Sequence, residues 1–279
     1  MKIDSKSLLT IILAGSIHLS AAAEDAPKEL FPDKNLERAV RKFVFEKREN
    51  DKPLVEVDLG NISIIQAAAK NIASLNGLEK CESLASLDIA RNDVSDLSPL
   101  EKMDRLQFLN AAKNEVEDLS RVGAIKALQY LELSANRVRD IKPLENLTNL
   151  SALYLSTNYI SDISPITKLP KLSSLYLQKN QIRSIEGIGN LRWLNSLQLN
   201  ENEISDLKPL KGCNNLYYLF LENNKIEDLS PLVEMVEEDK ERRFAPFLNL
   251  FLKGNPLSEK AKTEQIQKLK DLGVRVKSS

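Results

Sequence analysis

A chain of 279 residues with 39 basic and 40 acidic side chains carries almost no net charge, which excludes the basic footprint of a nucleic-acid binder or a membrane-surface protein. Its nine glycines are scattered and build no phosphate-cradling loop. The length alone would allow one or two globular domains.

The first residues have the three parts of a secretory signal peptide, predicted over 1–23. Lys2 and Lys6 form a basic start, Ser7–Leu19 an apolar core, and Ala21-Ala22-Ala23 a small-residue cleavage site before Glu24. The apolar run is too short to span a bilayer comfortably. No cysteine lies near the cleavage site and no apolar tail ends the chain. The expected product is exported, periplasmic or secreted, with no membrane insertion after signal removal. Cleavage takes two of the 39 basic residues, one of the 40 acidic ones and His18, leaving a net charge of about −2 and no histidine. A chain without histidine cannot build a Ser-His-Asp or Cys-His arrangement, nor a histidine metal site. No catalytic residue, cofactor or metal is therefore expected.

Residues 24–61 read as an N-terminal helical cap. Phe31-Pro32-Asp33 marks a helix start with Asp33 as N-cap, and Leu36, Ala39, Val40, Phe43 and Val44 follow at helical spacing. Val55, Val57 and Leu59 alternate with polar residues and predict a strand.

From residue 62 to residue 257 one unit recurs every 22 residues, about nine times. Anchors fall at Ile62, Leu84, Leu106, Leu128, Leu150, Leu172, Leu194 and Leu216. Within Leu150–Lys171 the apolar residues are Leu150, Leu153, Leu155, Ile160, Ile163, Ile166 and Leu169, with Asn158 between the first three and the rest. Helical spacing cannot hold one phase and one Asn position over so many copies, so the period predicts a stacked solenoid. The register breaks once. The next anchor after Leu216 is Phe247, with Leu250, Leu252 and Asn255, so extra residues enter near 233–246 in a run of mixed charge. That run reads as a solvated helical extension of the convex side.

Many units continue in one way, as Asp96-Leu97-Ser98-Pro99-Leu100, Asp162-Ile163-Ser164-Pro165-Ile166, Asp206-Leu207-Lys208-Pro209-Leu210 and Asp228-Leu229-Ser230-Pro231-Leu232. Together with the Asn position, these residues resemble the 22-residue leucine-rich repeats of bacterial internalins. The resemblance implies an α/β solenoid, a right-handed horseshoe with a parallel β-sheet on its concave face and helical caps at both ends. It also implies adhesion or host-protein binding as one form of function. Two units depart from the pattern: Lys70 replaces Asn in the first, and Ser184-Ile185-Glu186-Gly187 stands in the sixth.

Each part of the repeat has an expected task. Segments such as Leu153-Tyr154-Leu155 make strands with leucines inward. The Asn row satisfies turn backbone groups that the sheet leaves unpaired. Pro99, Pro143, Pro165, Pro209 and Pro231 suit short 3₁₀ segments on the convex side, and the aspartates recurring from Asp96 to Asp228 bond turn amides. Cys81 and Cys213 share one repeat position six units apart, roughly 29 Å at one strand spacing per unit, so they are small core residues and not a disulfide. Residues 258–279 form the C-terminal cap. Ser258 is its N-cap, Ala261, Ile266, Leu269 and Leu272 its apolar face, Gly273 its stop, and Val274-Arg275-Val276 a last strand. Caps at both ends lead us to expect a complete protein.

The outward residues are the third and fifth positions of each unit. Aromatics make up 5% of the chain, yet Phe108, Tyr130, Tyr154, Tyr176, Tyr218, Phe220 and Phe251 all land there. Exposed rings in a line are usual interface anchors, although rings also favour strands and stack across a sheet. With Glu132, these residues form the candidate partner-binding row of a non-enzymatic, monomeric scaffold for a protein or peptide, with no nucleic-acid partner. The alternatives are a regulatory or inhibitory subunit of an enzyme, which requires the N-terminus not to be a signal, and a structural envelope protein.

Overall fold

A three-residue strand buries almost nothing alone, so its stability has to come from stacking. The computed structural model describes residues 29–278, and the signal segment expected over 1–23 lies outside them. Ten such strands form one sheet in sequence order. They are β1 (Ile64–Gln66), β2 (Ser86–Asp88), β3 (Phe108–Asn110), β4 (Tyr130–Glu132), β5 (Ala152–Tyr154), β6 (Ser174–Tyr176), β7 (Ser196–Gln198), β8 (Tyr218–Phe220), β9 (Asn249–Phe251) and β10 (Arg275–Lys277). All neighbours are parallel and equivalent positions face each other without slip, as in Leu131↔Leu153 and Leu153↔Leu175. The middle residue of β1 to β9 points inward, and one apolar core runs from Phe31 to Val274.

The Asn row ties each unit to its predecessor. Asn158 accepts from the Val138 N–H at 2.9 Å and donates to the Leu133 and Leu155 carbonyls at 3.0 Å each. Asn92, Asn114, Asn136, Asn180, Asn202, Asn224 and Asn255 repeat this pattern. Position 70 has no preceding repeat to tie, so a lysine there costs the stack no such bond.

On the convex side, proline opens the 3₁₀ turns Ser98–Leu100, Lys142–Asn146, Ser164–Lys168 and Lys208–Leu210. The preceding aspartate accepts the N–H two residues on, as Asp162 does from Ser164 at 2.8 Å. In the first and sixth units, which lack this motif, Gly77 (φ 104°) and Gly187 (φ 82°) open the turn from a left-handed conformation that other residues adopt at a cost.

Helix α1 (Lys34–Arg41) starts at Asp33, whose Oδ1 accepts from the Asn35 and Leu36 amides at 2.8 and 3.0 Å. Its Oδ2 reaches the Ala73 and Ser74 amides at 2.8 and 3.1 Å, which fastens the cap to the first repeat. The strand predicted from Val55, Val57 and Leu59 is instead a helical turn, α2 (Glu56–Leu59). Asp58 Oδ2 accepts from the Val55 N–H at 2.7 Å and from Lys47 Nζ at 2.6 Å, winding the segment so that Leu59 is buried and Val57 is 82% exposed. Tertiary bonding has overridden a weak alternation.

The insertion forms α3 (Ser230–Glu238), burying Leu232, Met235 and Val236. Asp239 then accepts the amides of Arg243, Phe244 and Ala245 at 2.9, 3.0 and 3.0 Å and turns the chain back. Phe247 is not the inward anchor expected from the repeat. It lies 46% exposed against Tyr217, while Phe244 and Leu248 fill the core, because the turn Ala245–Phe247 rotates the chain before β9. The C-terminal cap begins at Ser258, whose Oγ accepts from the Ala261 amide at 3.1 Å. A π-type turn, Ala261–Gln265, leads into α4 (Ile266–Asp271), and β10 starts one residue later than expected.

Candidate partner-binding face

The pleat sends the first and third residues of each strand to the concave surface, and the zero-slip register places equivalent residues side by side. The predicted aromatic residues therefore become two runs. In the first, Phe108 stacks on Tyr130 at 4.3 Å between ring centres, Tyr130 meets Tyr154 at 5.2 Å, and Tyr154 meets Tyr176 edge-on at 4.6 Å. In the second, Phe220 stacks on Phe251 at 4.4 Å, with Tyr218 at 6.2 Å. Strand β7 separates them with Ser196 and Gln198, and Ser196 Oγ lies 3.5 Å from the Tyr176 hydroxyl.

The rings neither sink into the core nor stand free. All but Tyr218, which is 46% exposed, are partly buried by one another, so much of their π surface is already in use. Edges and hydroxyls remain for a guest. Burial, the nearby Glu132 charge and Tyr154 push the Tyr130 phenol up to about 12. Burial and Tyr176 also raise Tyr154, against a lowering hydrogen bond from Ser174. Both therefore stay neutral donors near pH 7.

Glu132 has a local duty that the sequence reading missed. Its Oε1 accepts from the Ser134 N–H at 2.7 Å, and Asp88 and Asn110 close the same turn through Ala90 and Ala112 at 3.0 and 3.2 Å. The signal was present, since a short polar acceptor two residues before an amide is an Asx-type turn. Where Tyr154, Tyr176, Phe220 and Phe251 occupy that position, this acceptor is given up for a ring. Outside the row, Trp193, Tyr217 and Phe247 are exposed at the edge where the chain enters the strands, a patch that the row of outward positions does not include.

Cys81 and Cys213 are buried and free, and burial pushes both thiols up to about 12, with Glu79 adding to the rise at Cys81. They remain protonated at neutral pH and are not nucleophiles. Among the described residues there is no group of three or more His, Cys, Asp or Glu side chains placed to hold a metal ion. Nor is any helix among them long and apolar enough to cross a membrane.

Known proteins share this architecture. The family described as Leucine Rich repeats (2 copies) matches residues 126–168, 148–190, 170–211 and 192–234. Among solved structures, internalin C2 of Listeria monocytogenes is 30% identical with a TM-score of 0.71, covering 74% of this chain and 91% of its own. An internalin (InlF) of the same organism is 27% identical with a TM-score of 0.73, covering 89% of this chain and 76% of its own. A leucine-rich repeat protein of Leptospira interrogans, 24% identical with a TM-score of 0.62, covers 72% of this chain and 56% of its own and shares the fold. No curated protein sequence matches. With the stacked sheet, the Asn row and these likenesses in agreement, the chain belongs to the leucine-rich repeat proteins of the internalin-like type.

Proposed function

We propose that this protein is an exported, non-enzymatic scaffold that binds a protein or peptide partner on its concave face, adhesion being one form of that task. The observation that carries the reading is the position of the rings. Seven aromatic side chains occupy outward strand positions, although the core closes without them. Rings there offer contact area at low entropy cost, and their hydroxyls and edges can satisfy polar groups of a guest. Export is supported by the basic, apolar and small-residue segments of residues 1–23.

The test is capture from an envelope or secreted fraction of the native host, comparing the native chain with Tyr154→Ala/Tyr176→Ala. We expect a retained protein to be lost about tenfold or more from the double variant, since removing two interface anchors costs over 1 kcal/mol each. Retention unchanged by the double substitution would remove the concave face from the reading. Mass spectrometry of the mature N-terminus checks export. A chain starting near Glu24 supports it, and a cytosolic chain starting at Met1 would favour the enzyme-regulating alternative.

A further inference from the structure

Lys70, the residue that replaces Asn in the first unit, stands in a basic corner of an otherwise balanced chain. That corner narrows what the partner can be, provided that the binding reading above holds. With Arg38 of α1 and Lys42 at its C-terminal end, Lys70 lines a cleft of about 370 Å³ against Asn35, Ala39, Ala69 and Asn71. No carboxylate lines this cleft among the described residues. In later units the residue after the Asn donates its N–H to the unit before, as Asp93 does to Ile72 and Glu115 to Val94, both at 2.9 Å. Asn71 has no unit before it, and its N–H finds no acceptor among the described residues.

The same charge continues along the edge where the chain leaves the strands. Ala69 donates to the Ala90 carbonyl and Arg91 to the Ala112 carbonyl at 2.8 Å each, so residues 69, 91 and 113 stack one unit step apart. Arg91 and Lys113 are therefore like charges in register, about one strand spacing of 4.8 Å apart at the backbone. Such a pair costs stability when nothing lies between its members. Lys179 shows the ordinary solution at this repeat position, pairing with Glu201 of the next unit at 3.5 Å. On α1 the neighbours Lys34 and Arg41 are likewise paired, both with Glu37. Arg38, Lys42, Lys70, Arg91 and Lys113 have no ion-pair partner among the described residues. Of the three carboxylates nearest in sequence to Arg91 and Lys113, Asp88 accepts from the Ala90 amide at 3.0 Å and Glu115 is held by Arg137 at 3.2 Å. Only Asp93 is uncommitted.

We infer that the partner carries a short, extended acidic segment that lies along this edge. One of its carboxylates enters the cleft, held by Lys70, Arg38, Lys42 and the Asn71 N–H, and others lie over Arg91 and Lys113. A carboxylate between Arg91 and Lys113 turns one repulsion into two attractions, and the Asn71 amide gains the acceptor that a preceding repeat would have supplied. From the first unit to the third is two steps, about 10 Å at the usual strand separation, which an extended chain covers in about three residues. Lys113 follows β3, whose Phe108 begins the first aromatic run, so the segment meets the concave face where the rings start.

Calorimetric titration of the full chain with octaglutamate tests this directly. The expected outcome is saturable binding that weakens about tenfold as salt rises from about 50 to about 300 mM, with no binding of octalysine. Lys70→Asn/Arg91→Ala/Lys113→Ala should weaken octaglutamate about tenfold or more while the melting temperature is kept. Other units already carry these residues at the same positions, as Asn92, Ala69 and Ala135, the two alanines in the same left-handed conformation. No binding of octaglutamate, equal binding of octalysine, or full binding by the triple variant would each overturn the inference. Binding of a heparin fragment in place of octaglutamate would overturn it too, assigning the edge to a sulfated polysaccharide. Capture of the native partner separates this failure from that of the concave-face reading. Loss from Tyr154→Ala/Tyr176→Ala with full retention by the triple variant overturns the acidic segment alone, and full retention by both variants overturns both.

Discussion

Two rows of side chains run the length of this solenoid, and they behave differently. The asparagines from Asn92 to Asn255 recur in every unit but the first, are buried or nearly so, and spend both donor and acceptor on neighbouring backbone. The concave rings recur irregularly, are interrupted at β7, and leave hydroxyls and edges unspent. A residue that stacking requires must be present in each copy, because each unit touches only its neighbours. A residue that stacking merely tolerates is free to vary from copy to copy. In a repeat protein the specialised surface therefore shows itself as a departure from the period.

The contrast breaks most severely at Asn158. Replacing it with alanine would leave the Val138 amide without a partner in a buried site and take from the Leu133 and Leu155 carbonyls one of two donors each, the others being Asn136 and Asn180. We expect a loss of about 3 kcal/mol, and urea unfolding that separates into two steps as the halves uncouple. Next in size is Asp33→Ala, which removes a helix cap and two bonds to the first repeat, and should cost about 2 kcal/mol by the same measurement. Burial alone would raise the Asp33 carboxyl, but its bonds to the Ala73, Leu36, Ser74 and Asn35 amides together hold it below the usual 3.8. Its contribution is thus present above 3.8 and lost as pH falls through the lowered folded value, so Asp33→Asn should flatten the acid limb of the stability profile. By contrast, Tyr154→Ala/Tyr176→Ala should cost only about 1 kcal/mol of stability, read from the same urea curves, while abolishing partner capture. A stability loss as large as that of Asn158→Ala would make the rings structural and erase the distinction between the rows.

The period made the inward leucines, the Asn row and the strand edges legible, because each is fixed by a repeating geometric need. What stayed hidden depended on single tertiary contacts. Val57 alternates like a strand residue, but the Asp58 carboxylate winds the segment into a turn. Phe247 sits where an anchor belongs, yet the insertion delivers Phe244 to the core in its place. The outward rings could be placed on the right face from spacing alone, but their mutual stacking could not, since side-chain rotation answers to neighbours one unit away. The apolar face from Ala261 to Leu272 reads as one regular helix, but its first turn is a π-type turn, Ala261–Gln265, ahead of α4.

A smaller effect sharpens the comparison from within the backbone. The residue before each Asn is left-handed: Arg91 at φ 59°, Lys113 at 56°, Ala135 at 57°, Thr157 at 57°, Lys179 at 57°, Glu201 at 57°, Asn223 at 53° and Gly254 at 78°. The turn imposes this shape so that the following amide can face inward, and residues without β-branching bear it at moderate cost. Thr157 is the β-branched member of the row. Its side chain is exposed, while its backbone N–H donates to the Gln178 carbonyl at 2.8 Å, a bond that asparagine keeps. Thr157→Asn should therefore raise stability by about 0.5 kcal/mol, read as a higher urea midpoint at unchanged slope, with partner capture unaffected. A lower midpoint would mean that the threonine methyl packs against its neighbours more than the backbone resents it, and the strain at this position would then be no part of what distinguishes the two rows.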